Sequence, residues 1–107
     1  MTHHPGETVI FRYTHKVYND TTEVWDLTDC DADYPVITVT NPDAVKRVDA
    51  QEMTKISTGK YIYVHTIASD EVAGILHGEA EGRSTQTYGA VPVVLKRYAE
   101  YNVEVEA

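Results

Sequence analysis

Thr58-Gly59-Lys60-Tyr61-Ile62-Tyr63-Val64-His65-Thr66-Ile67 is a glycine turn that leads into residues that are aromatic, β-branched or tolerant of an extended backbone. Both faces of this predicted strand are apolar, with Tyr61, Tyr63 and Ile67 on one and Ile62 and Val64 on the other. Such a strand is either central and covered twice, or covered once with its second face left for a partner. The stretch announces a β-sandwich and names no substrate.

Upstream of it, Thr8 to Val17 alternates, placing Val9, Phe11, Tyr13, His15 and Val17 on one face and polar residues on the other, with Ile10 as the exception. Asn19-Asp20-Thr21-Thr22 breaks the run with turn formers, where a hairpin or crossover is expected. Short strands follow at Glu23 to Thr28 and Tyr34 to Thr40, the second stopped by Asn41-Pro42-Asp43. Val45 to Ile56 reads as one or two short strands around Val48 and Met53 to Ile56, with a helix from Ala50 to Lys55 as the competing reading.

Downstream, Ile75 to Glu81 directs Leu76, Gly78 and Ala80 inward and His77, Glu79 and Glu81 outward. A turn is expected at Gly82-Arg83-Ser84-Thr85, and Gln86 to Lys96 as the next strand, confined to an edge or bulge by Pro92. The chain therefore reads as all-β, an immunoglobulin-like antiparallel β-sandwich of about seven strands with turn signals near every 10 residues. Its expected divisions are an N-terminal tail over 1–7, the sandwich over 8–97, and a C-terminal tail or added strand over 98–107.

Composition narrows the classes of function. A chain of 107 residues forms a single domain that folds without staples. Seventeen acidic against nine basic residues give a formal charge of -8, a field that repels phosphate backbones and anionic membranes. The single cysteine, Cys30, excludes an internal disulfide, and neither a signal peptide nor a membrane-spanning apolar run is evident. Eight tyrosines supply apolar bulk with a polar rim, which suits contact faces.

Asn41-Pro42-Asp43, Thr58-Gly59-Lys60-Tyr61-Ile62-Tyr63, Gly74-Ile75-Leu76 and a closing valine strand together resemble the immunoglobulin-like modules of bacterial surface proteins, macroglobulin-type domains and structural proteins of tailed viruses. Those modules carry an Asp-Pro-Asp-Gly turn, a Gly-x-Tyr lead into a central strand and a Gly-x-Trp lead into the next. Here Ala44 stands in the glycine position and Leu76 in that of the tryptophan, and the similarity spans Gly6 to Arg97. Within that group, a lone module without export signal or catalytic domain looks most like a neck, tail or capsid-associated protein of a tailed virus. The resemblance implies a virion location after assembly in the host cytoplasm, with copies of itself and other virion proteins as partners. It implies a homo-oligomer in an assembly, no nucleic acid and no membrane.

Chemistry-bearing residues are sparse. Asp26, Asp29, Asp31 and Asp33 crowd one loop, but Tyr34 and Thr40 occupy the positions where an EF-hand needs glycine and glutamate. Asp29, Asp31 and Asp33 are thus weak metal candidates beside the plain reading of a solvated acidic loop. The five histidines offer no ligand pair by spacing except His3-His4, and the aspartates around Cys30 are expected to raise its thiol pKa. No nucleophile, phosphate loop or carboxylate pair in a pocket is recognisable, so neither catalysis nor a cofactor is expected. The favoured functional feature is the tail, whose Tyr98, Tyr101, Val103 and Val105 form a candidate assembly interface. A carbohydrate or receptor-binding module using Tyr18, Trp25, Tyr34 and Tyr88 as stacking platforms is the alternative, and a small cytoplasmic enzyme or a metal-dependent regulator is a third.

Overall fold

The computed structural model describes residues 2–106; Met1 and Ala107, the ends of the two expected tails, lie outside the described residues. The described residues form ten strands and no helix: β1 (Thr2–His3), β2 (Thr8–Thr14), β3 (Lys16–Asn19), β4 (Val24–Leu27), β5 (Val36–Thr40), β6 (Lys46–Glu52), β7 (Thr54–Ser57), β8 (Lys60–Thr66), β9 (Gly74–Tyr88) and β10 (Val91–Val105). A five-stranded sheet runs in the order β1-β10-β9-β5-β6, a three-stranded sheet in the order β2-β8-β7, and β3 and β4 form a separate hairpin. The all-β, sandwich-like class is as expected. The count of ten replaces the expected seven because β1 adds to an edge, the expected Thr8 to Val17 strand breaks at His15 into β2 and β3, and the Val45 to Ile56 region divides in two.

Alternation in the sequence builds the core. Val9, Phe11 and Tyr13 of β2 and Tyr61 of β8 pack against Ile37 and Val39 of β5, Leu76 and Ala80 of β9, and Val103 and Val105 of β10. Removing each large apolar side chain from water contributes about 1.5–3 kcal/mol, so this two-sheet cluster is the main source of stability. His15 and Val17 continue the inward face as expected, while Ile10 is exposed. The organising strand β8 is covered on one side only. Val64 and its cross-strand partner Ile10 stand exposed on the outer face, with Ile62 only partly covered.

The helix reading of Ala50 to Lys55 is replaced by a sheet switch. β6 belongs to the large sheet and β7 to the small one, and between them buried Met53 donates its backbone N–H to the Pro35 carbonyl at 2.8 Å. A register shift in the β5–β6 pairing and a left-handed Ala50 (φ 46°) bend the chain ahead of that corner. Ala44 likewise has φ 64°, the backbone that the expected glycine would have taken. Buried Asn41 holds that turn by accepting from the backbone N–H groups of Asp43 and Val45.

The turn expected at Gly82 to Thr85 is absent. β9 continues unbroken to Tyr88 and reverses through Gly89 and Ala90, and all fifteen of its residues pair with β10. Gly82 meets a different need: a Cβ there would lie 2.6 Å from Tyr13 Cζ, so its bare backbone admits the tyrosine ring. Glycine served close packing, and its resemblance to a turn signal was accidental. The long hairpin gives the molecule its shape, 53 × 22 × 18 Å.

Candidate functional site

The β9–β10 hairpin tip and the β3–β4 hairpin lie side by side and form an arm rich in exposed apolar groups. Asn19 shapes the shorter hairpin, its side-chain oxygen accepting from the N–H of Thr21 (2.9 Å) and Thr22 (3.3 Å). Between the hairpins is a cleft of about 300 Å³ lined by Val17, Tyr18, Trp25, Tyr88, Leu95 and Arg97. The Arg97 guanidinium sits 4.9 Å from the Trp25 ring centre and Tyr18 meets Trp25 edge to face at 5.5 Å. These contacts hold the indole in place although half of it remains exposed. Of the four predicted stacking residues, Tyr18, Trp25 and Tyr88 are therefore brought together. Tyr34 instead lies under Arg83, 4.6 Å from its guanidinium.

β10 carries the second feature. β1 pairs with it in parallel at Glu104 and Val105 alone, so the outer edge from Val91 to Val103 has no strand partner among the described residues. An unpaired edge of that length offers a row of backbone donors and acceptors to another chain. The predicted interface residues divide along it. Val103 and Val105 are buried in the chain's own core, and Tyr101 packs edge to face on Phe11 and donates to the Arg12 carbonyl. Tyr98 is 58% exposed. The stretch from Tyr98 to Val105 is thus the inner half of β10, and only its surface side is available to a partner. Pro92 lies on this open edge, as its missing N–H requires.

The acidic loop is occupied by the protein's own donors. Asp29 accepts from the Gly59 N–H at 3.0 Å and pairs with Lys55 Nζ at 2.7 Å, contacts that hold its carboxyl below the usual range. Asp31 accepts from both the N–H (3.1 Å) and the hydroxyl (2.7 Å) of Thr85. Asp33 takes up a left-handed turn (φ 70°). The loop between β4 and β5 is therefore clamped to β7, the β7–β8 turn and β9. The Cys30 thiol is pushed up chiefly by burial, with the neighbouring aspartates adding less than the sequence suggested.

A serine, a histidine and a tyrosine do line up. His15 contacts Ser84 Oγ through Nε2 at 2.9 Å and Tyr13 Oη through Nδ1 at 2.7 Å. His15 and Ser84 are buried, so this relay acts as a satisfied polar link between β2 and β9, and a neutral imidazole completes it by accepting one bond and donating the other. Spacing along the chain could not reveal it, because Ser84 arrives from 69 residues away.

The relay has a pH consequence. Burial first, then Arg97, holds the His15 pKa below its ordinary 6.5, with Asp31 opposing; His65 is also lowered by burial, with Glu71 opposing and Arg47 adding. Below pH 6.5 the unfolded chain takes up protons that the folded chain refuses, so stability falls as the pH drops toward the folded values. For each histidine the slope has an upper limit of about 1.4 kcal/mol per pH unit. Urea midpoints at pH 7.5 and 5.5 check this, and His15→Asn should lessen the slope. An unchanged slope would show that the buried imidazole does not carry it.

Comparison of the chain with protein-family models, with characterised proteins and with solved structures finds no match.

Proposed function

We propose that this chain is a structural protein of a tailed virus particle, a neck, tail or capsid-associated component that works by contact with copies of itself and with other virion proteins. The open edge of β10 beside the apolar arm is the observation that carries the assembly reading. Val94 and Tyr98 stand exposed along that edge, so a neighbour's strand would gain backbone hydrogen bonds and apolar burial together. In a ring or lattice each copy is held by several neighbours, and modest interfaces suffice. The particle itself is suggested by the resemblance of the Asn41-Pro42-Asp43 turn and the Gly59 and Gly74 strand leads to modules of such viruses.

Light scattering at rising concentration tests this, with electron microscopy of the products. The expected result is a defined oligomer, seen as rings or lattices, that Val94→Lys with Tyr98→Lys returns to a folded monomer. A chain that stays monomeric throughout and is absent from purified particles of its host would overturn the reading. The cleft formed by Tyr18, Trp25 and Tyr88 favours a second reading, a carbohydrate or receptor-binding module. Glycan-array binding lost on Trp25→Ala would select it.

A further inference from the structure

We infer that His77, Glu79 and Glu100 form a binding site for a divalent metal ion of the zinc class on the outer face of the large sheet. The β9–β10 register assembles it. His77 and Glu79 are two residues apart and share a face, Glu100 lies directly across from Glu79, and Asn102 lies directly across from His77. One donor atom from each of His77, Glu79 and Glu100 lies within 4.8 Å of the others. Tetrahedral zinc with bonds near 2.1 Å spaces its donors about 3.4 Å apart, a closure that small rotations of two exposed glutamates supply.

Two further observations separate this cluster from a chance meeting of surface acids. Like charges placed directly across a strand pair destabilise it, and neither Glu79 nor Glu100 has an ion-pair partner among the described residues. The nearby Arg83 is engaged by Glu81. In a chain of net charge -8 a bound dication would turn that repulsion into attraction. In addition, His77 Nδ1 lies 3.2 Å from Asn102 Oδ1. Donation from Nδ1 to that oxygen leaves the lone pair on Nε2 and fixes the ring, the support that metal-binding imidazoles receive from a second residue.

The donor set selects the ion. One imidazole with two carboxylates suits zinc and its neighbours, whereas calcium calls for six or more oxygens. Beside His77 and Glu79 a shallow groove lined by Val36, Thr38, Thr40 and Ala50 leaves a face of the ion open to water or to an added ligand. Sequence spacing hid the site because Glu100 comes from the opposite strand.

Calorimetric titration with Zn²⁺ tests the inference on a His3→Ala/His4→Ala background, which removes the terminal pair. One zinc per chain is expected, with affinity falling at least tenfold in His77→Gln and in Glu79→Gln/Glu100→Gln. Calcium at the same concentrations should give no heat. Without zinc, Glu100→Gln should unfold at an equal or higher temperature than the parent, because a repulsion is relieved, and zinc should no longer raise that temperature. No zinc binding, or binding indifferent to these three side chains, would overturn the inference.

Discussion

Gly59→Ala is expected to remove about 3–5 kcal/mol of stability, a large part of what a domain of this size possesses. Gly59 has φ +69°, and a Cβ there would lie 2.8 Å from the His15 carbonyl oxygen and 2.9 Å from the Thr28 nitrogen. Both are backbone atoms with partners of their own: Thr28 N–H donates to the His15 carbonyl at 3.0 Å, and His15 N–H donates to the Gly59 carbonyl at 2.7 Å. Gly59 N–H in turn reaches Asp29. Three segments therefore meet on this glycine, and relieving the clash pulls at least two of them apart. Gly89→Ala supplies the control, since φ is +64° there but nothing lies within 4 Å of the added carbon. It should show the left-handed backbone penalty alone, about 1 kcal/mol. Urea denaturation of both variants checks this, and similar losses at the two positions would mean that the crowding around Gly59 is not what matters.

The Thr8 to Val17 alternation placed five inward residues, and all five are buried, because a single period-two face has only one way to meet a core. The two-faced apolar strand stated its own ambiguity, and the exposed Ile10–Val64 pair resolves it in favour of a face covered once. Gly82 misled because a glycine that admits a tyrosine ring and a glycine that turns a chain have the same letter. Alternation and tyrosines mark 98–107 as a contact strand but cannot say whether its partner is its own sheet or a neighbour. Register decides that, and it buries Val103 and Val105 while leaving the outer edge of β10 open. The His77 cluster and the His15–Ser84 link were illegible for the same reason, since each joins residues that only strand pairing brings together.

Arg47→Ala should be the most damaging change at any charged residue, and a second substitution should largely repair it. Glu71 sits in the β8–β9 connection with its side chain 1% exposed, and its Oε2 receives both Arg47 Nε at 2.8 Å and Arg47 Nη2 at 2.6 Å. Its Oε1 is buried without a partner, as is His65 Nε2, so loss of the guanidinium removes both side-chain donors that Oε2 has. Breaking one side of a buried pair typically costs about 3–5 kcal/mol; because Arg47 remains 28% exposed and water can reach the gap, about 2–3 kcal/mol is expected here. Replacing both members, Arg47→Leu with Glu71→Leu, removes the stranded charge and fills the volume, so the double variant should recover to within about 1 kcal/mol of the parent. The same loss of Arg47 should raise the His65 pKa, because the guanidinium is one of the groups holding it down, and nuclear magnetic resonance titration of the ring reads that directly. If the two single losses simply add in the double variant, the carboxylate is not stranded by the loss of Arg47, and the tether between β6 and the β8–β9 connection is ordinary packing.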